Sequence, residues 1–159
     1  MNTTPKKIDI DIQALIEDLG LDDASVQILK LRRQAEFEAV EKYCNINCIK
    51  KQELDGGSVQ FGWVIWQDKA ARFTEAEFHA VWVDENGQFH DITPRIDKEK
   101  RIMFVPDNTR KQELIKDTKG VRTRSYTNHK MQNGVIVKPS TDWEAYMEPD
   151  KLARIGAKL

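Results

Sequence analysis

Three residues that together can activate a sulfur nucleophile occur along this chain in the order cysteine, histidine, acid: Cys44, His79 and Asp91. A free thiol is mostly unionised near neutral pH, and a helix start or an adjacent imidazole shifts it toward the reactive thiolate. The histidine can accept and return the proton, and the carboxylate can fix the tautomer and orientation of the ring. We therefore predict that these three residues are a catalytic triad, which the fold must bring together.

A β-hairpin is predicted to place the histidine beside the acid. Side chains alternate over Glu75–Val83 in the manner of a strand, with His79 on one face. The segment Asp84–Gly87 contains Asn-Gly, which suits a tight turn, and a second strand follows over Gln88–Thr93. Because antiparallel neighbours bring cross-strand side chains together, we expect His79 and Asp91 to be in contact.

A helix that begins near Cys44 is predicted to supply the rest of the site. Asn45 is a candidate N-cap, and Asp55–Gly57 is a helix stop. The N–H groups at a helix start lack intrahelical partners, so they can also polarise a carbonyl oxygen. A continuous longer helix with two buried cysteines stays open as an alternative. Cys48, one turn further on, also stays open as the alternative nucleophile.

Three further side chains are candidates for supporting roles. Asn47 and Gln60 are candidate amide donors to an oxyanion or a substrate. Glu77 flanks His79 on the same strand face, where it can contact substrate or tune the ring. An exposed strand face without function is the competing interpretation of Glu77.

Structural roles and a zinc site compete with the triad for the same residue types. A cysteine in a half-buried helix is usually a small core hydrophobe, and a histidine on a mixed strand face is usually a satisfied structural residue. The sequence also allows a zinc site formed by Cys44, Cys48, His79 and His90, but the two histidines need not point to a common centre. We predict no metal and no cofactor.

At these residues the sequence resembles the papain-like fold of the transglutaminase-like superfamily. In that superfamily a cysteine at a helix start faces a His-Ala-Trp-type strand, which turns through a glycine-containing hairpin into an Asp-x-x-Pro-type strand. The corresponding strings here are Cys44, His79-Ala-Val-Trp82, Gly87 and Asp91-Ile-Thr-Pro94. The resemblance covers roughly residues 40–106.

The resemblance implies acyl transfer or hydrolysis at an amide or thioester, as in a peptidase, a deamidase or a transglutaminase, on a protein or peptide substrate and without a cofactor. A wider set of strings is similar to a group of uncharacterised prokaryotic and phage proteins. These strings are Cys44-x-x-Asn47, Gly62-Trp-x-Ile-Trp66, Glu75-Ala-Glu-Phe-His-Ala-Val-Trp82 and Asp91-Ile-Thr-Pro94.

Charge distribution suggests a second, non-catalytic hypothesis. The chain has 159 residues and a net charge of −1, so it is not basic throughout, yet residues 95–138 hold 12 Lys/Arg against 5 Asp/Glu. Such a segment can bind an anionic partner, although a solvated loop is the commoner cause. Arg122, Arg124 and Lys130 are the candidate contacts of a module that binds nucleic acid or protein on the same fold.

The remaining pattern predicts one α+β domain over residues 1–159, with N-terminal helices packed on a small antiparallel sheet. No signal peptide and no apolar run of the roughly 20 residues that a membrane helix needs is seen, and two cysteines are expected to stay reduced, so we expect a cytoplasmic protein. The predicted segments are a loose end over 1–8, helices over 11–19 and from 22 or 23 to about 42, strands over 58–66, 101–105 and 135–137, helical potential over 107–119, a basic loop over 120–134 and a last helix from about 142.

Overall fold

Residues 1–33 and 36–159, the part of the chain that this computed structural model describes, adopt the predicted α+β class. The α helices are α1 Ile10–Asp18, α2 Cys44–Asp55 and α3 Pro149–Ile155. The strands are β1 Gln27–Lys30, β2 Ser58–Asp68, β3 Phe73–Val83, β4 Phe89–His90, β5 Arg101–Pro106, β6 Glu113–Asp117, β7 Gly120–Tyr126, β8 His129–Gln132, β9 Val135–Lys138 and β10 Asp142–Tyr146. Within these ranges no helix has the length and apolar character needed to cross a membrane.

The larger sheet runs in the order β1-β5-β2-β3-β8-β9, and β4 also pairs with β3. The end of β1 returns to the far side of this sheet, where Leu31 forms a parallel bridge with Asp91 and the Arg32 N–H donates to the Asp91 carbonyl at 2.8 Å. Strands β1, β5, β2, β3 and β4 therefore form a closed ring. The smaller sheet has the order β10-β7-β6.

The hairpin of β2 and β3 is the longest pairing, and both predicted strands are confirmed. Its register runs from Ser58 opposite Val83 to Asp68 opposite Phe73. The side chains of β3 alternate between the two faces of the sheet. On one face Phe78 packs edge-on against Trp63, with ring centroids 4.9 Å apart, in the apolar cluster that includes α1. On the other face Val81 belongs to a second apolar cluster. That second cluster lies within the ring of strands and comprises Leu29, Val64, Val81, Ile102 and Phe104.

The N-terminal half confirms one predicted helix and corrects two other predictions. Helix α1 matches the prediction, and the Asp9 carboxylate caps it by accepting from the Ile12 N–H at 2.9 Å. The segment before it is not loose, because Thr3 pairs with Gln67 through two backbone hydrogen bonds of 2.9 Å. The N-terminal ammonium also contacts Asp68.

The predicted helix from Asp22 to about Lys42 is wrong over the described residues of that range, while residues 34 and 35 lie outside them. Asp22 caps only a short 3₁₀ helix over Asp23–Ser25, and β1 follows at once. Strand β1 pairs with Arg101–Phe104 of β5. This long-range pairing outweighs the helical propensity of the segment, which periodicity alone cannot reveal.

The C-terminal third is also more β-structured than predicted. Strand β6 occupies the segment of predicted helical potential, strands β7 and β8 occupy the predicted loop, and β10 begins where a last helix was expected. Cross-strand ion pairs favour the sheet, since Arg122 bonds Asp117 and Glu144 on its two neighbouring strands. The last helix begins only at Pro149, whereas the strands predicted over 101–105 and 135–137 are confirmed.

We expect Gly62→Ala to lower the free energy of unfolding by about 3 kcal/mol, because Gly62 lies opposite His79 and an added Cβ would come within 2.6 Å of the Phe104 ring. Urea denaturation measures this. Gly87→Ala is the matched control: its surroundings are open and only its φ of +79° is strained, so it should cost about 1 kcal/mol. Equal losses in the two variants would contradict close packing at Gly62.

Candidate active site

His79 and Asp91 are in direct contact, as the hairpin pattern predicted. The register of β3 with β4 pairs Trp82 with His90, and this pairing carries residue 91 back beside β3. His79 Nε2 lies 2.9 Å from Asp91 Oδ1. Both side chains are buried, and Asp91 is fully so.

The second oxygen of Asp91 is held by Arg95, a residue that the sequence analysis did not identify. Arg95 Nη1 donates to Asp91 Oδ2 at 2.6 Å, and Nη2 donates to the Glu99 carbonyl at 2.8 Å. Burial acts to raise the pKa of Asp91, but the charge and hydrogen bond of His79 and the charge of Arg95 outweigh it and lower that pKa. Asp91 is therefore a carboxylate with both oxygens occupied. The only signal for Arg95 in the sequence is its place four residues after Asp91.

Helix α2 begins at Cys44. This agrees with the predicted new helix and not with the alternative of one continuous longer helix. The predicted N-cap at Asn45 is wrong: the cap position belongs to Tyr43, whose side chain makes no capping hydrogen bond. Cys44 is 6% exposed and lines a groove, whereas Cys48 is completely buried one turn further along α2. Both thiols are buried, and Cys44 is the one of the two that lines the groove.

The Cys44 thiol is a neighbour of the His79 ring. Burial acts to lower the pKa of His79, but the charges of Cys44 and Asp91 and the hydrogen bond of Asp91 outweigh it and raise that pKa well above its ordinary value. Because Nε2 is taken by Asp91, Nδ1 is the ring nitrogen left for Cys44. Burial, followed by the charges of Cys44 and Asp91, raises the pKa of Cys48 and keeps it a neutral thiol.

The groove opens along a stretch of β3 that lacks a strand on one side. Strand β8 pairs with β3 over Phe73–Ala76 and β4 pairs with it at Trp82 and Val83, so in the described structure the edge between them is free of both. The groove has a volume of about 410 Å³. Its walls combine Cys44, His79 and Glu77 with the apolar side chains Trp66, Pro94, Ile96, Tyr126 and Trp143.

A larger cavity of about 520 Å³ lies between α1 and the smaller sheet and contains no cysteine. Its histidine, His129, is fully engaged, because Nε2 lies 2.6 Å from Asp18 Oδ2 and Nδ1 accepts from the Ser140 N–H at 2.9 Å. That histidine has no nitrogen free for chemistry. The groove at Cys44 is therefore the better candidate site.

The candidate amide donors are used elsewhere. Asn47 exchanges two hydrogen bonds with the backbone of Val40, at 3.0 and 2.9 Å, and donates to Thr93 Oγ1 at 3.1 Å. Its amide therefore ties the first turn of α2 to the segment after Asp91 and is not free for an oxyanion. Gln60 donates to Phe61 O and Asn108 Oδ1, at 2.8 and 2.9 Å, and does not line the groove.

The candidate anion contacts face carboxylates of the same chain. Arg122 pairs with Asp117 and Glu144, and Arg124 pairs with Asp142 at 2.8 Å. Lys130 lies 3.9 Å from Glu75. These neighbouring carboxylates neutralise the three cations, so the excess positive charge of residues 95–138 does not form a patch at these positions.

The residues proposed for zinc do not gather at one point. His90 Nε2 instead lies 2.8 Å from Asp84 Oδ2. Over residues 1–33 and 36–159, no group of three or more His, Cys, Asp or Glu side chains is arranged to hold a metal ion.

Comparison with known proteins adds no family assignment, since no family model, curated protein or solved structure matches this chain. The side chains at the groove are the basis for a functional proposal. Of the predicted site residues, the structure brings together Cys44, His79, Asp91 and Glu77.

We expect Cys44→Ala to lower the pKa of the His79 ring, because the charge of Cys44 raises it. An NMR titration of the ring protons measures the change. Cys48→Ala is the matched control, because the Cys48 thiol stays neutral, and its His79 pKa should stay close to that of the native protein. A His79 pKa that does not respond to Cys44→Ala would contradict their contact.

We expect Arg95→Gln to destabilise the fold by about 3 kcal/mol at neutral pH, because the buried Asp91 carboxylate loses its cation. Since the pKa of Asp91 is lowered on folding, this contribution is complete above the unfolded pKa of about 3.9 and is lost as the pH falls through the folded value. Urea denaturation at several pH values measures it. Exposed Lys98→Gln should change stability by less than about 0.5 kcal/mol; a pH-independent loss in Arg95→Gln would contradict the ion pair.

Proposed function

We propose that this chain is a cysteine-dependent acyl-transfer or hydrolase enzyme acting on an amide or thioester of a protein or peptide. Cys44 is the nucleophile, His79 the general base and acid, and Asp91 the residue that orients the ring. The single observation that supports the proposal is the position of His79, which is bonded to Asp91 through Nε2 at 2.9 Å and lines the same groove as Cys44.

The arrangement suits a two-step acyl transfer. The Cys44 sulfur attacks the carbonyl carbon, forming a sulfur–carbon bond, and His79 donates its proton to the leaving amine or thiol. Water or an amine then attacks the resulting thioester while His79 takes up the proton of that second nucleophile. The carbon–sulfur bond breaks, which releases the product and returns Cys44 as the thiolate. Asp91 keeps the ring in one tautomer throughout, and Arg95 keeps Asp91 ionised.

Backbone N–H groups at the start of α2 are the proposed stabilisers of the oxyanion. Cys44 is at the first helical position, and the Tyr43 side chain does not cap the helix, so donors beside the sulfur are not used by that side chain. Such donors act most strongly in a site that excludes water. In our proposal these backbone N–H groups take the oxyanion-binding role that the sequence analysis gave to Asn47 and Gln60, because the side-chain amides of both residues are hydrogen-bonded within the protein.

The resemblance to the transglutaminase-like superfamily supports the same function. In that superfamily the nucleophile is at a helix start and the histidine strand turns into the strand of the acid. Here α2 begins at Cys44, and β3 turns into β4 just before Asp91. The alternative of a nucleic-acid-binding module is less well supported, because Arg122 and Arg124 are paired with carboxylates.

We expect iodoacetamide to alkylate Cys44 in the folded protein near neutral pH and to leave Cys48 unmodified, because Cys48 is buried and its pKa is raised. Peptide mass spectrometry measures both sites. Asp91→Asn should slow alkylation of Cys44 by about tenfold or more, since the ring is no longer held in the required tautomer.

Alkylation of the urea-unfolded protein, in which both thiols should react alike, is the control for intrinsic reactivity. Preferential modification of Cys48 in the folded protein would show that the nucleophile is assigned to the wrong thiol. A rate at Cys44 that is the same in His79→Ala as in the native chain would refute the proposed enzyme.

A further inference from the structure

The groove beside Cys44 contains a carboxylate whose only partner in the described structure is a neutral donor. Glu77 is exposed, and its Oε1 accepts a long hydrogen bond of 3.4 Å from Trp66 Nε1. No Lys, Arg or His of residues 1–33 and 36–159 lies within ion-pair distance of it. Glu75, two residues earlier on the same strand, is in contrast bonded to Asn2 and Asn128 and lies near Lys130. Glu77 therefore lines the groove without a cationic partner among the described residues.

The other charges at the groove do not neutralise Glu77. Arg95 also lines it, but its guanidinium is engaged by Asp91 and lies 3.4 Å from Asp97. Glu41 and Lys42 are both exposed at the rim, where their opposite charges offset each other. The groove therefore offers its occupant a negative field.

Aromatic side chains accompany this carboxylate. Trp66, Tyr126 and Trp143 all line the groove, and Trp143 is 41% exposed although it is large and apolar. A carboxylate beside exposed aromatic faces suits a cation, which is attracted by both. An acidic side chain would be repelled by Glu77, and an apolar one would desolvate it without compensation.

The position of Glu77 relates it to the bond under attack. It lies two residues before His79 on β3, so their backbones are separated by about 7 Å and their side chains share a face. A long substrate side chain next to the reacting carbonyl can span this distance. Glu77 can therefore contact a charged substrate side chain that lies next to the reacting carbonyl.

We propose that the groove selects peptide substrates that carry a positively charged side chain, Lys or Arg, next to the carbonyl attacked by Cys44. Glu77 is the specificity-determining residue, and Trp66 and Trp143 provide the aromatic walls for the cationic side chain. This inference rests on the proposed function, because the reacting carbonyl is defined by Cys44 and His79.

Peptide aldehydes test the inference directly. The Cys44 thiol adds to the aldehyde carbon, and its proton passes to the carbonyl oxygen, giving a reversible hemithioacetal without any other reactant. Three acetylated tripeptide aldehydes that differ only in the last side chain, argininal, norleucinal and glutamal, are compared by their Kd for the full chain. We expect argininal to bind about tenfold more tightly than norleucinal, and glutamal more weakly than either.

Glu77→Gln should reduce the argininal preference to about twofold or less, whereas Glu75→Gln, the matched control on the same strand, should leave it unchanged. Glu77→Lys should favour glutamal over argininal. Tight, Cys44-dependent binding of all three aldehydes with no effect of Glu77 on their ratios would overturn the charge preference alone. Binding that is equally strong in Cys44→Ala would overturn the proposed function and this inference with it.

Discussion

The rest of the site depends on the buried carboxylate of Asp91. An ionised carboxylate without water must be paired on both oxygens, and here His79 and Arg95 supply the partners at 2.9 and 2.6 Å. The backbone of the same residue closes the strand ring, because Arg32 donates to its carbonyl. Three separate parts of the chain, β3, the end of β1 and the loop after β4, therefore converge on one residue.

The helix that carries the nucleophile is aligned to this point by a second polar contact. Asn47 bonds the backbone of Val40 and the hydroxyl of Thr93, two residues after Asp91. These bonds connect the first turn of α2, which contains Cys44, to the segment that contains Asp91, the hydrogen-bond partner of His79. The amide expected to contact substrate has a positioning role, which explains why it is completely buried.

Local pattern was sufficient to predict strands β2 and β3, the turn at Gly87, the helix from Cys44 and the contact of His79 with Asp91, because each depends on neighbouring residues. Strand β1 was missed because its partner, β5, is some seventy residues away in sequence. The smaller sheet was not predicted because its strands are joined by cross-strand ion pairs and lack the apolar alternation by which a strand is recognised in a sequence. Arg95 was missed because nothing in its spacing distinguishes an arginine that holds a carboxylate from a solvated one.

The distance between Cys44 Sγ and His79 Nδ1 in a crystal structure tests the central claim most directly. The account predicts a separation within hydrogen-bonding reach, about 4 Å or less, with His79 Nε2 still bonded to Asp91. A sulfur that lies beyond hydrogen-bonding reach of the ring, with His79 bonded to Asp91 alone, would contradict it.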